Sequence, residues 1–238
     1  MIFNHYKFTL LQYLRQPSYM VSTMVFPAFF FLMFAKENAK TEELALFLMG
    51  SFAAFAVLSV CFLQFGVGVA QERASQWNQF LKTLPFHPGV SMIARVFTAL
   101  TFALFAAWVV VFVVLQTTDA QWNLQNFLHL NFALVLGGIP FCLMGLALGR
   151  VTTESSALPI CNLFYLSLSF AGGLWMPPNA LADSIQGIVD LLPTYHYGLW
   201  VRSTLLNESI SNRSLYFLFG TFVVMILINF LIQKRRVR

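Results

Sequence analysis

The side chains that could carry acid–base or nucleophilic chemistry lie between the hydrophobic runs of this chain and form no recognisable catalytic motif. The four histidines, His5, His87, His129 and His196, stand far apart in the sequence. There is no nucleophile elbow, no zinc-protease His-Glu-x-x-His motif and no pair of carboxylates within a hydrophobic run. We therefore expect the histidines to be solvated or aromatic-belt groups at membrane interfaces, and we expect no enzymatic activity.

Two carboxylates and three thiols are the other candidates for chemistry. Asp183 and Asp190 are seven residues apart and would share one face of a helix. A solvated face is the favoured interpretation, and a gate or substrate contact is the alternative. The cysteines Cys61, Cys142 and Cys161 fall inside hydrophobic runs without metal-type spacing, so neither a disulfide nor a metal site is expected.

Hydrophobic runs make up most of the 238 residues and decide the class of protein. Hydrophobic residues account for 58% of the chain and charged residues for only 10%, whereas about a quarter of the residues of soluble domains are charged. Six runs reach the roughly 20 residues that cross a bilayer. They cover residues 19–35, 44–70, 96–115, 130–149, 157–175 and 215–232. The sequence predicts an all-α integral membrane protein with six transmembrane helices in a single domain, 1–238.

The distribution of charge predicts the orientation of these helices. The chain has 14 basic and 9 acidic residues. With the N-terminus in the cytoplasm, ten basic residues fall inside and four outside, as the positive-inside rule requires. Both termini are therefore expected in the cytoplasm. The same pattern makes the net charge of +5 a topology signal, and nucleic acid is not an expected partner.

The polar segment between the second and third runs has the periodicity of a short amphipathic helix. Trp77, Phe80, Leu81 and Leu84 follow at i, i+3, i+4 and i+7, and Pro85 cannot continue the helix. Pro88-Gly89 is expected to turn the chain before Ser91 caps the next helix. Such a helix could dock against another protein or only lie on the lipid headgroups.

Two further segments are predicted to lie at the membrane interface. Residues 1–17 place Phe3, Tyr6 and Leu10 on one helical face, and Pro17 ends the pattern. This predicts an interfacial helix, either a contact for a partner or a surface anchor alone. Residues 176–200 hold a polar helical stretch between Pro177-Pro178 and Pro193, followed by an aromatic cluster, so they are expected to dip into the outer leaflet and return.

The source of energy is predicted from two absences in the sequence. No ionisable residue lies between the edges of the six runs, whereas ion-coupled carriers normally need such groups. The chain also has no G-x-x-x-x-G-K-[ST] phosphate loop. Energy for uphill transport would then come from another polypeptide.

Two of these segments resemble those of a known family. Glu72-Arg73, the apolar residues that follow, Pro85 and Arg95 resemble the first cytoplasmic loop of type-2 ABC transporter permeases, in which a coupling helix contacts the ATPase. Gln76-Trp77 departs from the pattern, because a Gly-Thr pair is common there. The order of Gly, Pro, amphipathic helix and second Pro after residue 172 is similar to the extracellular re-entrant helices of the same family, between helices 5 and 6.

The resemblance implies partners and roles. The chain would be the permease of an exporter that pairs with a second permease, as a homodimer or heterodimer, and with two ABC ATPase subunits that bind ATP and Mg. The segment 1–17 would be a connecting helix and 71–90 a coupling loop. The residues that would couple the permease to the ATPase are Glu72, Arg73, Trp77, Phe80, Leu81, Pro85 and Glu154.

The remaining expectations concern the substrate. Phenylalanine-rich runs suit a drug, lipid, lipid-linked glycan or peptide in a bacterial cell membrane. The expected path is lined by Phe55, Phe62, Asn162, Phe164 and Phe170. The expected extracellular gate contains Pro177, Pro178, Asp183, Asp190 and Pro193. The alternatives are an ATP-independent carrier or channel, and a membrane assembly protein that transports nothing.

Overall fold

A computed structural model describes residues 6–7, 10–11, 15, 21–75, 88–121, 123–177, 180 and 183–237. Within these ranges the side chains of residues 21–22, 88–93, 185 and 235–237 lie outside the description. All regular secondary structure of the described residues is helical, as the sequence predicts. From residue 21 onward the helices are α1 (21–35), α2 (Glu42–Ala74), α3 (Pro88–Thr117), α4 (Leu124–Val151), α5 (Glu154–Ala171), α6 (Asp183–Val189), α7 (Pro193–Leu206) and α8 (Asn212–Val237).

Four helices of the described chain are long and apolar enough to cross a membrane, and they contain four of the six predicted runs. These spans are Glu42–Ala74, Ala94–Thr117, Leu124–Val151 and Asn212–Lys234. The other two predicted runs correspond to α1 and to the 18-residue α5, which do not meet the same combination of length and hydropathy in the described residues. The count of six stays a prediction.

Helix α2 forms the centre of the molecule. Thr41 caps its first turn, accepting a hydrogen bond from the amide of Leu44 at 3.3 Å. Almost every side chain from Ala45 to Phe62 is buried, and the helix packs against α3, α4 and α7. Its second half contains a π-helical segment, Cys61–Val67, whose wider turn faces α4 and α5.

Two glycines of α4 allow it to approach α2 closely. A Cβ at Gly145 would lie 2.5 Å from the carbonyl oxygen of Cys61, and a Cβ at Gly149 would lie 2.5 Å from that of Gly66. A side chain at either position would meet backbone atoms of α2, so the spacing Gly145-x-x-x-Gly149 permits this close contact. The Sγ atoms of Cys61 and Cys142, one on each helix, are 3.0 Å apart as free thiols.

The start of α3 corrects one expectation. Pro88-Gly89 does not turn the chain before a helix capped by Ser91, because α3 already begins at Pro88. Proline is well suited to a first helical turn, where its missing N–H has no carbonyl partner to lose. The first residues of the predicted coupling loop 71–90 are also helical, because Gln71–Ala74 belong to the last turn of α2.

Helix α7 reaches from the end of the bundle into its interior. It begins at Pro193, and it ends at Asn207, which takes the left-handed conformation with φ 55°. The hydroxyl of Tyr197 donates to the carbonyl of Leu134 at 3.1 Å. Leu134 is ten residues into α4, about 15 Å along its axis. Helix α8 then runs along α4 and leaves most of its surface exposed.

Candidate coupling site

Polar contacts join four helices at the end of the bundle where α2 and α4 end and α3 begins. Glu72, in the last turn of α2, forms an ion pair with Arg95 of α3. The side chain of Arg95 is almost completely buried, whereas about half of the Glu72 side chain is exposed. A buried guanidinium needs a paired charge, so Glu72 holds α2 and α3 together on both sides of the residue 76–87 segment.

Arg73, the next residue, binds the end of α4. Its Nη1 donates to the carbonyl oxygens of Gly149 at 2.8 Å and Arg150 at 2.6 Å, with a longer contact of 3.4 Å to that of Thr152. The last four carbonyls of a helix have no partner within the helix and carry a partial negative charge. A cation at this position satisfies both needs and fixes the end of α2 on the end of α4.

Arg150 continues these contacts to α8. Its Nη1 donates to the carbonyl and the side-chain oxygen of Asn229, at 2.9 and 3.2 Å. The amide of Asn229 donates in turn to the carbonyl of Leu143 at 3.0 Å. Neighbouring residues therefore link α3 to α2, α2 to α4 and α4 to α8. We call the six residues Glu72, Arg73, Arg95, Gly149, Arg150 and Asn229 the polar belt.

Helix α5 begins beside the polar belt with an exposed carboxylate. Thr153 and Ser156 form a capping box, each side chain accepting from the other residue's amide, at 3.3 and 3.1 Å. Glu154 lies in the first turn, where a negative charge is favoured by the helix dipole. Its side chain is exposed, so it is available to a partner.

The predicted coupling residues fall into two groups. Glu72, Arg73 and Glu154 lie at this one end of the bundle, the first two with partners in the chain itself. The apolar residues of the predicted coupling helix, Trp77, Phe80, Leu81 and Pro85, lie outside the described residues. Of the predicted connecting helix 1–17, five residues are described, and the hydroxyl of Tyr6 lies 3.1 Å from that of Thr101 in α3.

The predicted path residues occupy two separate places. The rings of Phe55 and Phe170 pack on Trp175, with centroids 5.6 and 6.0 Å away. Phe62 and Phe164 instead line an apolar groove of about 260 Å³ between α4 and α8, nearer the polar belt. Asn162 is half-buried on α5.

The predicted gate residues lie at the opposite end of the bundle. Asp183 opens α6 and is exposed, and Asp190 forms an exposed ion pair with Arg213 at 3.6 Å. Pro177 is half-buried and Pro193 begins α7, whereas Pro178 lies outside the described residues. The sequence predicts a helix over 179–192, and the described helix is the shorter α6.

His196 joins the elements beside this gate. Its Nε2 donates to the carbonyl of Asp190 at 2.9 Å, so its Nδ1 accepts from the hydroxyl of Ser214 at 3.1 Å. The side chain is buried against the ring of Phe217, at 4.3 Å. The expectation of a solvated histidine is wrong here, because the imidazole is a buried link between α7 and α8.

Three residues important to this architecture were not singled out by sequence reasoning. Arg202, one of the four basic residues that the charge pattern places outside, is buried, with hydrogen bonds to the carbonyl of Gly173 at 3.1 Å and to Ser51 of α2 at 3.4 Å. Asn229 was detectable as a lone amide within an apolar run. The sequence does not distinguish Trp175 from other residues, because an aromatic residue near the end of a span is usual.

The arrangement is a set of polar links between helices. The charged groups of the polar belt face each other or helix-end carbonyls, and the described residues contain no cluster of His, Cys, Asp or Glu that could hold a metal ion. A displacement of the segment between Ser75 and Pro88 would act on Glu72, Arg73 and Arg95 together. The displacement would therefore be transmitted to α2, α3 and α4 together.

Two comparisons relate the chain to known proteins. The model of a family described as ABC-2 family transporter protein matches residues 32–231. The chain is also similar to the "Putative transport permease YvfS" of Bacillus subtilis (strain 168), with 24% identity over 190 residues. That alignment covers 78% of this chain and 77% of the relative.

Proposed function

Because the chain belongs to the ABC-2 family of transporter proteins, we propose that it is the permease subunit of an exporter powered by a separate ATPase through the polar belt. The observation that carries the proposal is the pair of adjacent residues, Glu72 and Arg73, that ties the last turn of α2 to α3 and α4. A partner that moves this segment would move the permease.

The proposed assembly has two permeases and two ABC ATPase subunits, with ATP and Mg bound to the ATPases. Trp77, Phe80 and Leu81 would form the apolar face that meets the ATPase, with Glu154 beside it. The second permease, identical or homologous, would pack against α5, whose exposed surface carries Ser167 among apolar side chains. Polar groups on a spanning helix favour a protein neighbour over lipid.

The proposed topology has six spans, with both termini and the polar belt in the cytoplasm of a bacterial cell. Helix α5 is about 27 Å long, close to the roughly 30 Å of the hydrocarbon core, which supports it as a span. The deep contact between Tyr197 and Leu134 supports α6 and α7 as a re-entrant pair from the outer side. Asp183, Asp190 and the prolines would then form the outer gate.

The proposed substrate is hydrophobic or amphipathic. The aromatic cluster around Trp175, which includes Phe55 and Phe170, and the groove of Phe62 and Phe164 are the surfaces that support this class. Both would be lined almost entirely by apolar groups, which suits a lipid, lipid-linked glycan, drug or peptide.

The first test asks whether an ATPase binds the chain. Affinity purification of the tagged chain from its native membrane should recover an ABC ATPase in equal amount, identified by mass spectrometry. Recovery of the permease without any ATPase, together with transport in liposomes that lack ATP, would support an ATP-independent carrier. Binding of an ATPase without any transport would support an assembly protein instead.

The second test asks whether the polar belt transmits the force. Arg73→Gln removes the bonds to the α4 carbonyls, and we expect ATP-driven transport in proteoliposomes to fall at least about tenfold, since charged hydrogen bonds contribute about 1.5–3 kcal/mol. ATPase binding should persist. Lys40→Gln, which removes an exposed basic group just before the start of α2, is the matched control and should leave transport unchanged. Full transport by Arg73→Gln would refute transmission through Arg73.

A further inference from the structure

A long groove between α4, α7 and α8 opens on the surface of the bundle, away from the polar belt. Its upper part, of about 750 Å³, lies where α4 and α8 begin and α7 ends. Its lower part, of about 340 Å³, continues between α4 and α8. Trp200 and Leu215 line both parts, so the two form one continuous groove. The groove has no role in the proposed coupling.

The surface of the groove is mainly apolar throughout, and its polar side chains lie in the upper part. The upper part is lined by Gln125, His129, Ser203, Thr204, Asn207 and Glu208, above the rings of Phe132 and Trp200. The lower part is lined by apolar side chains alone, apart from the indole of Trp200. This arrangement suits a ligand with a polar head and a hydrocarbon tail.

The length of the groove matches one leaflet of a bilayer. On α4 its lining runs from Gln125 to Pro140, fifteen residues apart, which corresponds to about 22 Å. A bilayer with its interfacial regions is about 40–45 Å thick, so a single leaflet spans about 20–22 Å. The Trp200 indole lies where the polar part meets the apolar part, the usual place of tryptophan in a membrane protein.

The charge at the polar end selects the head group. Glu208 is exposed there and forms no ion pair with any described residue. No arginine or lysine is among the described residues that line the groove; Arg213 pairs with Asp190, and Arg202 is buried against α2. A free carboxylate without a basic neighbour repels an anionic head group and attracts an ammonium. Gln125 and His129 remain as hydrogen-bond groups for a phosphate.

From this geometry we propose that the groove binds one phospholipid with an ethanolamine head group, in the leaflet at the end of the bundle opposite the polar belt. The ammonium would lie at Glu208, the phosphate near His129 and Gln125, and an acyl chain between α4 and α8. The proposal does not depend on an ATPase partner or on the substrate that the protein transports.

Native mass spectrometry of the purified full chain tests the head group. The chain is mixed with equal amounts of dioleoyl phosphatidylethanolamine and dioleoyl phosphatidylglycerol in detergent. We expect one phosphatidylethanolamine to be retained in about fivefold preference, the size of one exposed charge pair. Glu208→Gln should abolish the preference, whereas Glu42→Gln, an exposed carboxylate in the first turn of α2, should retain it. Equal retention of both lipids by the unmodified chain would overturn the proposal.

A second pair of variants tests the site of the acyl chain. Leu136→Trp fills the lower groove and should reduce retention of both lipids, whereas Leu128→Trp, on an exposed position of α4 outside the groove, should not. Unchanged lipid retention by Leu136→Trp would exclude the groove as the site. A second copy of the chain as the occupant would appear instead as a smaller oligomer for Leu136→Trp, measured by light scattering, and that result would also overturn the proposal.

Discussion

Helices α2 and α8 are almost equally apolar, yet one is the core of the molecule and the other its edge. Their most apolar windows have mean hydropathies of 2.4 and 2.5, but 89% of the α2 window is buried and only 11% of that of α8. Lipid tails are as apolar as leucine, so the hydropathy of a helix does not decide whether it is buried in the bundle or faces the bilayer. The difference must come from shape and from polar contacts.

Small residues explain the central place of α2. Gly50, Ser51 and Ala54 face neighbouring helices on this span, and Gly66 meets α4 and α5. They let backbones approach closely enough to gain dispersion contacts along the whole helix. Helix α8 presents large exposed side chains such as Phe219 and Phe230 and is attached through Ser214 at one end and Asn229 near the other.

Glycine substitutions should give the largest contrast between a helix that packs on α2 and one that does not. Gly149→Ala in α4 would place a methyl group 2.5 and 2.6 Å from two carbonyl oxygens of α2. We expect it to lower the free energy of unfolding by about 3 kcal/mol or to prevent insertion. Gly220→Ala in α8 has nothing within 4 Å and should change it by less than about 0.5 kcal/mol.

Thermal unfolding in detergent, followed by circular dichroism, measures both glycine variants. Equal melting temperatures for the two would mean that α4 can move away from α2 without cost, and the close contact would then not explain the central place of α2.

Two phenylalanine-to-alanine substitutions remove the same ring from a buried position of α2 and from an exposed position of α8. The difference in stability between them should be smaller than that between the glycine variants. Phe52 of α2 is fully buried, with its ring 5.7 Å from that of Phe31, whereas Phe230 of α8 is 63% exposed. Phe52→Ala should cost about 2 kcal/mol, because within a bilayer mainly the cavity and dispersion contributions are lost. Phe230→Ala should cost less than about 0.5 kcal/mol.

The same unfolding measurement compares the two phenylalanine variants in lipid nanodiscs. A loss of stability for Phe230→Ala as large as that for Phe52→Ala would show that α8 packs against a protein neighbour, such as a second permease.

The smallest expected effect is the release of α8 from its polar contact. Asn229→Leu removes the side-chain bonds to Arg150 and to the carbonyl of Leu143 and keeps the bond from Arg150 to the backbone carbonyl of residue 229. The cost should be about 0.6–1 kcal/mol, the usual range for a hydrogen bond between spans. Hydrogen exchange should nevertheless increase along the second half of α8. Thr221→Val is the control, since Thr221 bonds only to Phe217 within its own helix. Unchanged exchange in Asn229→Leu would mean that packing on α4 alone holds α8.

The sequence predicts the long helices well because run length and hydropathy are local properties. Residues 44–70 and 130–149 lie within α2 and α4, and Gly145-x-x-x-Gly149 indicates where they touch. The predicted turn at Pro88-Gly89 is wrong, because Pro-Gly suits a turn and a first helical turn equally and α3 begins at Pro88.

The partners of the polar residues could not be predicted in the same way. Hydropathy placed Arg202 outside the spans, but its burial depends on α7 folding back toward Ser51, which is 151 residues away along the chain. The adjacency of Glu72 and Arg73 was visible, whereas their binding to Arg95 and to the carbonyls of α4 is a property of the tertiary structure.

The thiols of Cys61 and Cys142 give the chain a built-in reporter. They stand 3.0 Å apart across the contact between α2 and α4, in a region that no solvent-borne reagent reaches while the two helices stay together. A membrane-permeant maleimide would label them only if a working cycle separates these helices. Their labelling rate would therefore time that separation without any engineered probe.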